Sequence, residues 1–143
     1  MVRKCLVVAV SSVVCLGLVS LGGSALAQKT KGKTRAAATK YLMRGIQQAH
    51  CKGLGDLLKD SGPTDDKGWD TAACHASCLN EMSYLLMDDD RCPDKVWAGA
   101  AKDLREASAA VLAAVEKKDP EGSQAAFKSV IGSCGTCHKA HKK

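Results

Sequence analysis

Cys134-Gly135-Thr136-Cys137-His138 is the part of this chain whose residue types and spacing could do chemistry. Two thiols three residues apart, with a histidine directly after the second, make C-x-x-C-H, the attachment sequence of haem c. Each thiol can add across one vinyl group of the same porphyrin. The adjoining histidine is then held under the iron as an axial ligand. Two other chemistries use paired cysteines. A thioredoxin-like redox pair needs a βαβ setting, and a zinc site needs two further close ligands. His141 follows soon after His138, but no fourth ligand is evident. The motif therefore predicts one covalent haem c, its iron bound by His138 and its porphyrin by Cys134 and Cys137.

The N-terminus agrees with that chemistry, because haem attachment in bacteria requires export. Arg3 and Lys4 give a short basic start, Cys5 to Gly22 is uncharged and largely apolar, and Ser24-Ala25-Leu26-Ala27 carries the small residues a signal peptidase reads. Residues 1–27 are predicted to be a signal peptide cleaved after Ala27, placing the protein in the periplasm with no stable membrane insertion. An uncleaved anchor is the competing reading, since the apolar run could just span a bilayer. The formal net charge is +6, and much of the excess sits at two ends, in Lys29, Lys31, Lys33 and Arg35 and in Lys139, Lys142 and Lys143. Basic tails of this size suit weak encounter with an acidic redox partner. Without interleaved aromatics they do not suit nucleic acid.

In an oxidising compartment the remaining Cys51, Cys74, Cys78 and Cys92 suggest two disulfides, with three pairings open. Cys51 and Cys74 are equidistant from a turn near Gly62 and Pro63, so antiparallel helices would bring them level. Cys51–Cys74 and Cys78–Cys92 are the expected pairs. Cys74-His75-x-x-Cys78 is followed by Leu79, which does not fit haem attachment, and His75 reads as a solvated helix residue.

The elements that must position the motif are helical. Of 143 residues 45% are hydrophobic, 25% charged and only 3% aromatic, which leaves little to build a sheet from. Residues 28–33 read as a flexible leader and 34–143 as one all-α domain, an antiparallel four-helix bundle. Helix one is predicted over Thr34 to Lys59, with Tyr41, Leu42, Ile46, Ala49, Leu54, Leu57 and Leu58 as its apolar stripe. Ser61-Gly62-Pro63 breaks it, and Thr64 can cap helix two, whose inner face includes Trp69, Ala73, Ala76, Leu79, Met82 and Leu86. After Asp88 to Pro93, with Pro93 suited to a first helical turn, helix three carries Val96, Trp97, Ala100, Leu104, Val111, Leu112 and Val115. Asp119-Pro120 opens helix four, with Ala126, Phe127, Val130, Ile131, Cys134 and His138. So many inward alanines make a thin core that a large prosthetic group would fill.

An attachment motif on the last of four helices, in an exported chain, resembles the cytochrome c′ family. The likeness rests on Pro93 to Trp97, on Ala125-Ala126-Phe127, Val130 and Ser133 to His138, and on Lys142, which matches a basic residue beside the proximal haem face. Residues 34–91 match in layout more than in sequence. The resemblance implies a single-haem bundle, often a homodimer through helices one and two. Its iron would have an open sixth position for NO or CO, or a helix-one methionine ligand that makes a low-spin electron carrier. Aligning Tyr41 with the family's helix-one tyrosine puts Ile46 over the iron, in the distal pocket, which predicts the open form. A shift of one turn would bring Met43 or His50 into reach instead. Peroxidase chemistry would want a distal histidine and arginine, for which only His50 and Arg44 offer themselves, so no enzyme is expected.

Overall fold

The computed structural model describes residues 31–142. The predicted signal peptide, with Cys5 and Cys15, lies outside them, as do Lys29 and Lys143. The described chain is all-helical: four helices and no β-strand among the described residues. The first, α1, has three consecutive pieces, α-helical Thr39–Leu42, a π-helical turn Met43–Gln47, and α-helical Gln48–Leu57. Then come α2 (Asp66–Leu85), α3 (Lys95–Glu116) and α4 (Pro120–His141).

Three aspartates set three of the starts. Asp65, Asp94 and Asp119 each stand in extended backbone before a helix and accept the amide three residues on, from Gly68, Trp97 and Gly122. Each satisfies a donor that the first turn leaves unpaired. Pro120 occupies the first turn of α4 as expected. Two start signals shift by one residue, because Asp65 rather than Thr64 caps α2, and Pro93 precedes the cap of α3 instead of entering its first turn.

The start of α1 differs more. Thr34 and Arg35 are not helical, because both give their amides to the carboxylate of Asp89, at 2.8 and 3.0 Å. Lys33 donates to the Asp89 carbonyl, and Arg91, 1% exposed, donates to the Ala37 carbonyl at 2.9 Å. The α2–α3 loop thus holds the segment that sequence assigned to a loose leader and a first helical turn. Only at Thr39 does the helix begin.

Consecutive helices pack on one another through short connections, and their partners run in opposite senses. Trp97 Nε1–H donates to the Leu86 carbonyl while Asn80 reaches Arg105 and Ser108, so α2 and α3 are antiparallel. One core runs through the bundle, including Leu54, Trp69, Ala76, Leu79, Met82, Trp97, Leu104, Val111, Val115 and Val130. At about 25 cal/mol per Å² of apolar surface, the alanines that complete it contribute little each. Of the residues assigned to core faces, Tyr41 and Val96 are exposed to solvent, at 59% and 47%.

Candidate functional site

Between α1 and α4 the backbones stand apart. Gln124 at the start of α4 donates to the carbonyls of Leu58 and Asp60, and near the other end Gln47 Nε2 approaches Cys134 Sγ at 3.8 Å. Stepping down one helix steps up the other, so these two are antiparallel as well. In the gap lies a cavity of about 850 Å³, within the size range of cofactor sites.

Cys134, Cys137, His138, His141 and Lys142 all line it from α4, together with Phe127 and Ile131. The reason is helical phase: residues at i, i+3, i+4 and i+7 share one face. Ile131 is 48% exposed because it faces this space and not the core. Of the residues singled out in the sequence, the structure thus brings together Cys134, Cys137, His138, Lys142 and Phe127.

The α1 side departs from expectation. Met43, Gln47 and Cys51 line the cavity; Ile46 does not, and packs against the core cluster instead. His50 is also away from it. Its Nδ1 lies 2.9 Å from Nδ1 of His75 across the α1–α2 interface. His75, expected in solvent, is half-buried there.

The thiols are not paired as expected either. All six cysteines of the described residues are unlinked. Cys51 lies against Cys134 and not against Cys74, so the Cys51–Cys74 level is filled by His50 and His75. Cys92 Sγ–H donates to the Asp94 carbonyl at 3.4 Å and does not meet Cys78.

These contacts separate the two motif thiols electrostatically. Cys51 S–H donates to Cys134, and with further hydrogen bonds from Gln47 and Ser133 this brings Cys134 down to about 6 against the cost of burial. Cys51 is correspondingly pushed up. Burial, then the neighbouring Cys134 and Asp94, raise Cys137 to about 11. Burial, helped by the charge of Lys142, holds His138 below the usual histidine range, in the neutral form that ligates metals.

His141 is the site residue that sequence reasoning passed over, giving it no part beyond a discounted zinc set. It is 5% exposed, meets Trp97 edge-on with centroids 5.3 Å apart, and lies 3.5 Å from Asp94. Its signal was present in the spacing, seven residues after Cys134 on the same face. Around the rim stand Lys40, Arg44, Lys52, Lys59 and Lys142. Lys52 and Lys59 both donate to Asp56 and hold its carboxyl down at about 2.

Among the described residues no three histidine, cysteine or carboxylate side chains converge into a metal cage, and no helix is long and apolar enough to cross a membrane. No family model, no curated protein and no solved structure matches the chain.

Proposed function

We propose that this chain is an exported mono-haem c-type cytochrome of the cytochrome c′ kind, with His138 as the proximal iron ligand. The observation that carries the reading is the C-x-x-C-H motif lying along the wall of a cavity of about 850 Å³ between the first and last helices.

The lining suits that group. Gln47 Oε1 is buried in the wall with no hydrogen-bond partner, the kind of open acceptor that a bound ligand completes. Five cations border the space, with Asp56 the carboxylate among them, which favours an anionic occupant such as a porphyrin with two propionates. Met43, Trp97, Phe127 and Ile131 give the apolar surface that a flat macrocycle needs.

Bound there, haem supplies reversible one-electron chemistry or affinity for a diatomic gas. The protein's own part is positional. Cys134 and Cys137 fix the macrocycle on α4, and His138 offers a neutral ring nitrogen. Trp97 and His141 pack together at that end of the cavity. Lys139 and Lys142 leave a basic rim where an acidic redox partner can dock.

For the sixth position, the geometry supports Met43, which stands on the cavity wall where sequence counting had put Ile46. That gives a low-spin electron carrier. A second reading has its own observation: Met43 also packs against the core cluster, and if it stays there the position is open to NO or CO.

Absorption spectra of the exported protein, oxidised, reduced and with carbon monoxide, test both. A low-spin spectrum with a weak oxidised band near about 695 nm, lost in Met43→Ala, supports the carrier. A high-spin reduced form that shifts with carbon monoxide supports the open site. Absence of any haem absorbance refutes the proposal.

A further inference from the structure

Away from the cavity, on the opposite side of α1, two of the chain's four histidines meet. His50 and His75 put their Nδ1 atoms 2.9 Å apart, with ring centroids separated by 5.1 Å and planes inclined at 60°. Neither belongs to the proposed haem site. The backbone is cut to fit them: a Cβ at Gly53 would stand 2.5 Å from Nε2 and 2.6 Å from Cε1 of His75. The missing side chain lets the imidazole lie directly against α1, one turn from His50.

A nitrogen–nitrogen separation of 2.9 Å serves two ends. With one proton between the rings it is a hydrogen bond. It is also the spacing of two neighbouring ligands at a right angle about a metal, since bonds of about 2.0–2.1 Å at 90° place the nitrogens about 2.9 Å apart. A tetrahedral centre would need them wider. Right-angled nitrogen ligation belongs to tetragonal and octahedral first-row ions.

We infer that His50 and His75 form a two-imidazole site, bridging α1 and α2, for a divalent first-row transition ion of right-angled geometry, Ni(II) or Cu(II). Water fills the other positions, because no third histidine, cysteine or carboxylate among the described residues converges there. On binding, the ring that carries its proton on Nδ1 moves it to Nε2, so both Nδ1 lone pairs face the ion and no proton is lost. Burial and the neighbouring His50 hold His75 below the usual histidine range, which keeps it available as a neutral ligand.

Ni(II) is the probe, because unlike Cu(II) it does not oxidise thiols. Calorimetric titration of the protein as isolated is expected to show one site, weakened at least tenfold in both His50→Gln and His75→Gln and unchanged by alkylation of accessible thiols with iodoacetamide. Binding that survives both substitutions, or that alkylation abolishes, overturns the inference. A crystal of the unmutated protein soaked in Ni(II) gives a measurement that needs no variant. An anomalous peak within bonding distance of both Nδ1 atoms supports the site. A peak at His138 or His141, or none, overturns it.

Discussion

Gly53→Ala, compared with Gly99→Ala, isolates the cost of disturbing the His50–His75 contact. Both glycines lie inside helices, Gly53 in α1 and Gly99 in α3. In an open helix, alanine in place of glycine stabilises by about 0.8–1 kcal/mol. A Cβ at Gly99 meets nothing within 4 Å, so that gain is realised in full. At Gly53 the new carbon arrives 2.5 Å from Nε2 of His75, far inside van der Waals contact, and the ring must withdraw. Its retreat is blocked by His50, 2.9 Å away. Either the ring swings out, forfeiting a hydrogen bond of about 0.5–1.5 kcal/mol, or α1 and α2 separate, at about 1–3 kcal/mol for overpacking. Gly99→Ala should therefore be about 1 kcal/mol more stable than the parent, and Gly53→Ala between neutral and about 2 kcal/mol less stable. Urea titration followed by circular dichroism measures both, provided the m-value is constant. If Gly53→Ala is stabilised as much as Gly99→Ala, the imidazole does not occupy the space that glycine leaves.

Asp89→Ala removes the acceptor of the Thr34 and Arg35 amides and of the Thr34 hydroxyl. Limited proteolysis should then cut first within residues 31–38, with a loss of about 1–3 kcal/mol; unchanged cleavage would refute the clasp. In haem-free protein at pH 7.5, Cys134 (about 6) should be alkylated before Cys137 (about 11). A thiolate excess of roughly three thousandfold is cut by the lower nucleophilicity of the more acidic thiol to about tenfold in rate. Cys51→Ala should shrink that ratio, as read by mass spectrometry of timed samples. For His75, burial and His50 depress the folded-state pKa, so the unfolded chain takes up the proton first as pH falls. This contribution to stability is present above about 6.5 and is lost on acidification through the depressed value. Melting temperature should fall from pH 7 toward pH 5, and less so in His75→Gln.

Most of the frame was legible because it depends on local chemistry. The proline and glycine breaks and the aspartate caps act within four residues, and apolar periodicity marks Leu79, Met82, Leu104 and Val111 without reference to anything distant. The errors share a different origin. Asp65 and Thr64 are both capping residues, so the choice between them rests on backbone geometry. The late start of α1 depends on Asp89, more than fifty residues away in sequence. Equal distance from the Gly62–Pro63 turn did predict which residues of α1 and α2 are level. It could not predict how each helix is rotated about its axis, so His50 and His75 face each other where Cys51 and Cys74 were expected. Ile46 was misplaced for the same reason, lying in a π turn that no residue pattern announces.

That π turn has a geometric consequence for the cavity. At 3.6 residues per turn, a four-residue step overshoots a full circle by about 40°, so an unbroken α-helix would set Met43 and Cys51 about 80° apart. The wider turn over Met43–Gln47 advances less per residue and takes back much of that drift. Met43, Gln47 and Cys51 are thereby stacked as one column facing α4, spanning the cavity from the methionine thioether to the thiol beside Cys134. The extra residue in the turn works as a phase corrector: deleting it would leave every helix in place while rotating one half of that column out of line with the other.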